Sequence, residues 1–183
     1  DIVVDAKSGV SGAGRSAGIG THFSEINESI GAYAINGHRH LPELTQELSG
    51  LSANGLRLTF VPHLVPMTRG ILVTCYFDLK GSVAALNDPY SEFYAGQPFV
   101  KVLARSPTTK LASHSNLFLI NVAAQGQKAV VTGSLDNLVK GASGPGVECF
   151  NSAFAFARKP RLELPCQWPF PLRPAFPPAP PPA

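Results

Sequence analysis

The 183-residue sequence predicts an α+β domain in which helices flank a mainly antiparallel sheet. Segments of strand type follow one another along the chain, and three segments with helical spacing flank them. The longest predicted strand, residues 71–79, is rich in Val, Ile, Tyr and Phe. Hydrophobic residues make up 44% of the chain, which is enough to build a sizeable core.

Six segments carry the strand prediction: residues 1–6, 56–61, 71–79, 99–103, 117–124 and 128–134. The last two are joined by Gln125-Gly126-Gln127, which is typical of a hairpin. Residues 33–40 are predicted to form an edge strand or a turn, and the small polar residues of 16–30 favour a loop.

The first predicted helix starts at Pro42, with Glu43 in the first turn where the helix dipole favours an acid, and continues through Leu44, Leu48 and Leu51. Two further helices are predicted over residues 82–95, capped by Ser82 and weakened by Pro89, and over 136–150, interrupted by Gly144-Pro145-Gly146.

Composition divides the chain into a domain over residues 1–160 and a proline-rich, extended tail over 161–183. A solvated tail is the expected state of this segment, and a PxxP ligand is the alternative. The chain opens on the strand-like residues 1–5, so we expect it to be part of a longer protein.

Charge and cysteine content narrow the classes of function. The net charge is +3, and no stripe of Lys and Arg with interleaved aromatics occurs, so we expect no nucleic-acid partner. No apolar run is long enough to span a bilayer. Three cysteines without CxxC spacing favour reduced thiols in the cytoplasm. Charged residues make up only 15%, which suggests that part of the surface faces another subunit or domain.

The glycine-rich loop after the first strand is the first candidate site. Ser8, Gly9, Ser11 and Gly12 let backbone N–H groups approach an anion, and Arg15 adds a guanidinium that suits a phosphate or carboxylate. The loop matches neither the Walker pattern nor GxGxxG. A plain surface turn is an equally good interpretation of the pattern alone.

His38-Arg39-His40 is the second candidate. On an extended segment the two histidines share one face and Arg39 points away. A metal pair would need a third ligand at suitable spacing, which does not follow, so a general base is the better chemical interpretation and no metal is expected. A structural histidine is the alternative.

The third candidate is the polar start of the last helix. Asp136, Asn137, Lys140 and Gly141 lie where a helix N-terminus can hold an anion or an amide, and an ordinary capped helix explains the pattern equally well. Cys75, inside an apolar strand, is predicted to be a buried small hydrophobe rather than a nucleophile.

Taken together, four stretches resemble the N-acetyl-gamma-glutamyl-phosphate reductases. The matching residues are Asp5 to Arg15, Gly37 to Leu44, Phe60 to Ile71 and Asp136 to Gly144. They occur in the family's order and spacing. Two positions depart from the family pattern: His114-Ser115-Asn116 stands where Gly-Ser-Asn is usual, and Pro145 follows Gly144 where the last helix usually reads Gly-Gln.

The resemblance implies the substrate and dimerisation domain of a two-domain enzyme related to aspartate-semialdehyde dehydrogenase. A nucleotide-binding domain, whose end carries a catalytic Cys, precedes this part in the family, and its motif is absent from these 183 residues. In the implied reaction a thiolate attacks an acyl phosphate, phosphate leaves, and NADPH reduces the resulting thioester to an aldehyde. His38 corresponds to the family's catalytic histidine.

By the same resemblance, we expect Arg15, Arg39, His40 and Ser11 to bind the acyl-phosphate substrate. The residues expected to contact NADP are Ser8, Gly9, Gly12, Asn137, Lys140 and Gly141. A homodimer or homotetramer is expected. Two alternatives stay open: the sister reductase of lysine biosynthesis, which acts on the aminoadipyl phosphate homologue, and a non-catalytic dimerisation module. This chain by itself is expected to be inactive.

Overall fold

The computed structural model describes residues 1–52, 55–79, 86–160 and 162–163, and one mixed sheet organises them. Its strands are Ile2–Gly9 (β1), Gly31–Ala32 (β2), Leu58–Val65 (β3), Ile71–Asp78 (β4), Val100–Val102 (β5), Phe118–Gln125 (β6) and Lys128–Leu135 (β7). They are ordered β2-β3-β1-β4-β7-β6-β5. The β1–β3 and β5–β6 pairs are parallel and the other four are antiparallel, which confirms the predicted α+β class.

The helices lie between and after the strands, at Phe23–Ile26 (α1), Leu41–Ser49 (α2), Asn87–Phe93 (α3), Thr109–Ala112 (α4) and Gly144–Ala153 (α5). The helix predicted from Pro42 is confirmed, since α2 has proline in its first turn. The helix predicted over 82–95 is present as α3, and its predicted cap, Ser82, lies outside the described residues. Most of the proline-rich tail also lies outside them.

Of the two structures predicted for residues 33–40, the turn is confirmed, since β2 ends at Ala32. Two other local predictions need correction. The predicted loop over 16–30 contains a 3-10 turn, Ile19–Thr21, and α1. The segment after β7 begins as a π-helical turn, Val139–Ser143, instead of an α-helix.

Gly144-Pro145-Gly146 begins α5 instead of interrupting a longer helix. Proline fits there because the first turn of a helix leaves its N–H groups without intrahelical partners. Gly144 is needed for space, since a Cβ at that position would lie 1.8 Å from the Asn116 Oδ1. The Gly-Pro-Gly sequence, which was predicted to interrupt a helix, therefore marks the start of one.

The hydrophobic core lies between the sheet and α3. Ile120, Val122 and Val131 are buried, and Tyr90 and Tyr94 pack against them from the helix side. Residues paired across neighbouring strands share one face of a sheet, so this register assigns Cys75 and Val131 to the face that α3 covers.

The opposite side of β1, β4 and β7 carries a second row of side chains, which we call the open face: Val3, Asp5, Thr74, Tyr76 and Thr132. Val3 is 38% exposed and Tyr76 is 36% exposed, although both lie on central strands. Apolar and threonine side chains in the middle of a sheet are more often covered than left in water.

Glu148 links α5 to the loop before β6, to the π-helical turn and to the segment that follows the helix. Its carboxylate accepts a hydrogen bond from the Asn116 Nδ2 at 2.9 Å and pairs with Lys140 and Arg158. Burial raises the pKa of this carboxyl, but the hydrogen bonds from Lys140, Asn116 and Arg158 outweigh it and hold the pKa below its usual value of 4.5. The ionised form of Glu148 is therefore part of the folded state.

Replacing Glu148 with Gln tests this anchor. We expect the free energy of unfolding near pH 7 to fall by about 2–3 kcal/mol, because charge-assisted hydrogen bonds are lost and the Lys140 ammonium stays half-buried. A depressed carboxyl pKa contributes stability above the unfolded pKa and loses it as the pH falls through the folded one. The difference between variant and parent should thus shrink as the pH falls below 4.5, and it should disappear once the pH lies below the lowered pKa of folded Glu148.

Urea unfolding at several pH values measures this difference. Glu163→Gln is the matched control, because Glu163 pairs with Lys159 at the surface and should contribute at most about 1 kcal/mol. Equal effects of the two substitutions, or an effect of Glu148→Gln that persists in acid, would contradict the assignment.

Candidate functional site

Three loops meet at one end of the sheet: the glycine-rich loop after β1, the 66–70 turn between β3 and β4, and the segment after β7. The Gly9 N–H bonds to the Gly70 carbonyl at 2.9 Å, and the Val10 N–H bonds to the Met67 carbonyl at 2.8 Å. The central strands bring these loops together because β1 lies between β3 and β4.

Asn137 joins all three loops through one side-chain amide. Its Nδ2 donates to the Ser11 Oγ at 2.9 Å, and its Oδ1 accepts from the Gly70 N–H at 2.7 Å. The residue is only 7% exposed. Ser11 and Asn137, which the sequence placed in separate candidate sites, therefore belong to one site.

The glycines of the loop are required by close packing. A Cβ on Gly9 would lie 2.9 Å from the Met67 carbonyl oxygen, and a Cβ on Gly12 would lie 3.1 Å from the Ser8 Oγ. Backbone and small hydroxyl groups thus line this part of the site without bulky side chains. The N–H groups of Gly9, Val10 and Ser11 already bond to carbonyls of the 66–70 turn, so these donors would have to give up or share those bonds in order to bind an anion.

Asp136 is fully buried at the start of the segment after β7. Its Oδ1 accepts the N–H groups of Leu138 and Val139 at 2.8 and 3.0 Å, as an N-cap aspartate does. Its Oδ2 accepts the His114 N–H at 2.7 Å and a 3.2 Å bond from the Arg69 guanidinium. This carboxylate therefore orients residues from three loops.

Two residues expected to contact the cofactor are engaged within the protein. The Lys140 ammonium pairs with Glu148 and lies 5.4 Å from the centre of the Phe99 ring. The Gly141 N–H bonds to the Asp136 carbonyl at 2.9 Å. Either one would have to give up or share these contacts in order to bind a ligand.

His38 lies in a second cluster, beside β3 rather than in the loops. Its ring contacts those of Tyr33, His40 and Phe60, with centroid distances of 5.6, 4.9 and 5.3 Å. The two histidines are neighbours as predicted, but the extended segment expected to align them is absent. A turn aligns them instead, in which the His40 N–H donates to the His38 Nδ1 at 3.2 Å.

The surroundings of His38 favour a neutral ring. Burial lowers its pKa below the usual 6.5, and the neighbouring His40 and Arg39 lower it further. Because Nδ1 accepts a hydrogen bond, the proton of the neutral ring is on Nε2. At neutral pH the side chain is thus an uncharged imidazole, the state that accepts a proton in general base catalysis.

The remaining predicted residues are at the surface. Arg15, Arg39 and His40 are exposed. In the described part of the chain no hydrogen bond or ion pair fixes the Arg15 guanidinium. The hydrogen bonds and ring contacts of His38 likewise stay within its own cluster there, so the two clusters are joined through β3 and not by direct side-chain contacts.

Comparison with known proteins identifies the fold and its relatives. The family model described as "semialdehyde dehydrogenase, dimerisation domain" matches residues 1–137. The chain belongs to this family. It is also 49% identical over 160 residues, or 84% of the chain, to the N-acetyl-gamma-glutamyl-phosphate reductase of Symbiobacterium thermophilum, and 45% identical over 170 residues to that of Moorella thermoacetica.

The family membership agrees with the structure. The aspartate semialdehyde dehydrogenase II of Vibrio cholerae covers 84% of this chain with a TM-score of 0.63 at 16% identity, which shows a shared fold. The chain spans about half the length of the curated relatives it matches: 46% of the Symbiobacterium protein and 49% of the Moorella protein. In the described residues no helix is both long and apolar enough to cross a bilayer.

Sequence reasoning missed Arg69, Asp136 and His114 as a group. Arg69 stood inside a quoted motif without a role, and Asp136 was named only as part of a polar helix start. The available signal was the pattern of an aspartate three residues before a helical turn, typical of a cap. The distance of 67 positions between Arg69 and Asp136 hid their contact.

The pKa of His38 can be tested by NMR titration of its ring. We expect a value below 6.5, because burial is the largest cause of the shift. In His40→Asn the pKa of His38 should rise, since one like charge is removed, yet stay below 6.5 because burial remains. A value at or above 6.5 in the parent chain would show that the ring is solvated.

Proposed function

We propose that this chain is the catalytic-histidine and dimerisation half of an NADP-dependent reductase that converts N-acetyl-glutamyl 5-phosphate to N-acetyl-glutamate semialdehyde and phosphate in arginine biosynthesis. The observation that carries the proposal is the identity of 41–49% to proteins of that name across more than four fifths of the chain. The geometry of the His38 cluster agrees with it.

His38 is the proton-transfer group in this proposal. Its Nδ1 is held by the His40 backbone and its pKa is lowered, so the neutral ring is poised to move a proton at Nε2. The reactive thiol would come from the other half of the enzyme. In the present tautomer the Nε2–H of His38 is a donor, so accepting the thiol proton would require Nδ1 to release the His40 N–H and take up that proton. The aromatic rings of Tyr33 and Phe60 fix the imidazole in place.

The three-loop site suits NADP and the substrate. Ser8, Gly9, Gly12 and Asn137 form a surface of backbone and small polar groups, in which a Cβ on Gly9 would crowd the 66–70 turn and a Cβ on Gly12 would crowd the Ser8 hydroxyl. NADPH supplies the hydride when bound. Ser11, Arg15, Arg39 and His40 would contact the acyl phosphate, while Lys140 and Gly141 would contact NADP only by rearranging their present bonds.

Two partners follow from the proposal. A second copy would cover the open face, which agrees with the dimerisation family. The nucleotide-binding half would cover the exposed rings of Phe150, Phe154 and Phe156, which are 54%, 62% and 57% exposed and contact one another at the end of α5.

Enzyme activity can be tested in a chimera that joins the N-terminal half of the Symbiobacterium reductase to this chain. We expect no NADPH oxidation from the 183-residue chain alone and substrate-dependent oxidation from the chimera. In the chimera His38→Asn should lower kcat by about 10²–10⁴-fold, the usual contribution of a positioned base. Circular dichroism checks that the fold survives.

His22→Asn is the matched control, because the His22 side chain is exposed and its ring bonds only to Ser24 in the described residues. If His38→Asn kept full activity and His40→Asn lost it, the proton-transfer role would belong to His40 instead of His38. Turnover of the aminoadipyl homologue instead of the glutamyl substrate would assign the sister reductase. A folded chimera without activity on either would favour a non-catalytic module.

Association through the open face is tested by Tyr76→Glu. Placing a charge at the centre of a sheet-to-sheet contact should convert the dimer to monomer in sedimentation velocity at micromolar concentration, because an unpaired charge is costly to bury. Ile19→Glu is the control, since Ile19 is 85% exposed in a loop. A dimer that survives Tyr76→Glu would place the interface elsewhere.

A further inference from the structure

Arg69, His114 and Asp136 form a hydrogen-bonded triad that the catalytic scheme above does not use. The Arg69 NH1 donates to the His114 Nδ1 at 2.8 Å and to the Asp136 Oδ2 at 3.2 Å. Asp136 is fully buried, whereas the Arg69 side chain keeps 29% of its surface exposed. The guanidinium therefore has one fixed end and one end that reaches solvent.

The fixed end uses only one of the three guanidinium nitrogens. Within the described residues, NH2 and Nε of Arg69 have no hydrogen-bond partner. Asp136 accepts four hydrogen bonds, two at each oxygen, and has no capacity left for a further donor. The unused N–H groups of Arg69 are thus oriented by the protein and left available to an external acceptor.

His114 keeps the guanidinium in this orientation. Arginine cannot accept a hydrogen bond, so the His114 Nδ1 must be the acceptor and the proton must be on Nε2. The residue has a φ of 62°, in the left-handed region that non-glycine residues seldom adopt. Strained backbone of this kind is retained where the surrounding contacts demand it, often at functional sites.

The triad lies at the same end of the sheet as the three-loop site. A Cβ on Gly9 would lie 3.0 Å from the Arg69 backbone, and the adjacent Gly70 N–H bonds to Asn137. Arg69 therefore belongs to the turn against which the glycine-rich loop packs. Its guanidinium is anchored, whereas that of Arg15 is not.

We propose that Arg69 is an oxyanion-binding residue of this site and that His114 and Asp136 position its guanidinium. The ligand is a phosphate or carboxylate oxyanion, which two parallel N–H groups of a guanidinium recognise together. The identification of its source as the acyl-phosphate substrate rests on the proposed function. The proposal that this chain binds an oxyanion does not rest on the proposed function.

The experiment titrates inorganic phosphate and, in a second arm, N-acetylglutamate into the ¹⁵N-labelled 183-residue chain. The Arg69 Nε–H and His114 ring signals are followed by NMR. We expect saturable shifts at both residues and a ring spectrum with the proton on Nε2. Saturation by phosphate alone assigns a phosphate subsite, and saturation by N-acetylglutamate alone assigns a carboxylate subsite; both outcomes support the proposal.

Arg69→Lys should weaken the affinity for the saturating ligand by about tenfold, because lysine keeps the charge but loses the paired donors. Arg57→Lys is the matched control, since Arg57 is exposed and pairs with Asp1 at the opposite end of β1 from the triad. No saturable shift with either ligand, or a parental Kd in Arg69→Lys, overturns the proposal. The proposal is also overturned if Arg15→Lys weakens binding of the ligand and Arg69→Lys does not.

His114→Gly tests the positioning role separately from folding. Glycine adopts a φ of 62° without strain, so the melting temperature should not fall, while loss of the acceptor should weaken binding several-fold. Unchanged affinity in a folded His114→Gly chain would remove His114 from the proposal. Because these measurements need no turnover, their result is independent of whether the chimera is active.

Discussion

The carboxylate of Asp136 is the contact on which the end of the sheet depends. It is fully buried, and its four hydrogen bonds reach the π-helical turn that follows, the backbone of His114 and the guanidinium of Arg69. A buried carboxylate is costly unless hydrogen-bond donors surround it. Moving any one of these partners would leave the carboxylate partly unsatisfied, so the carboxylate holds all of them in place. The loops meet because this charge has to be solvated by protein.

The neighbouring Asn137 extends the same constraint to the glycine-rich loop. Its amide bonds to Ser11 on one side and to the Gly70 backbone on the other. Adjacent residues at the end of β7 thus organise both the ligand-facing loop and the turn that carries Arg69. A change in the length of this segment would disturb all of these contacts together.

The elements with strong local signals could be predicted from sequence. The β6–β7 hairpin, the long strand β4 and the helix that begins beside Pro42 depend on alternation, β-branched content and turn residues, which are properties of neighbouring positions. The contact of Arg69 with Asp136 could not be predicted in this way, because it depends on which strands pair. The alignment of His38 with His40 was expected for the wrong reason: a turn, not a strand, brings the rings together.

The position of β1 in the sheet has a consequence for how the chain acquires its structure. The hairpin of β6 and β7 closes around Gly126, so these two paired strands are adjacent in sequence and are synthesised one directly after the other. In contrast, Ile2 pairs with Leu58 on one side and Phe77 on the other, and both contacts close long loops. Loop closure of that length is entropically costly and slows folding. On a ribosome, β1 would emerge before both of its partner strands, which leaves its edges exposed to other chains in the interval.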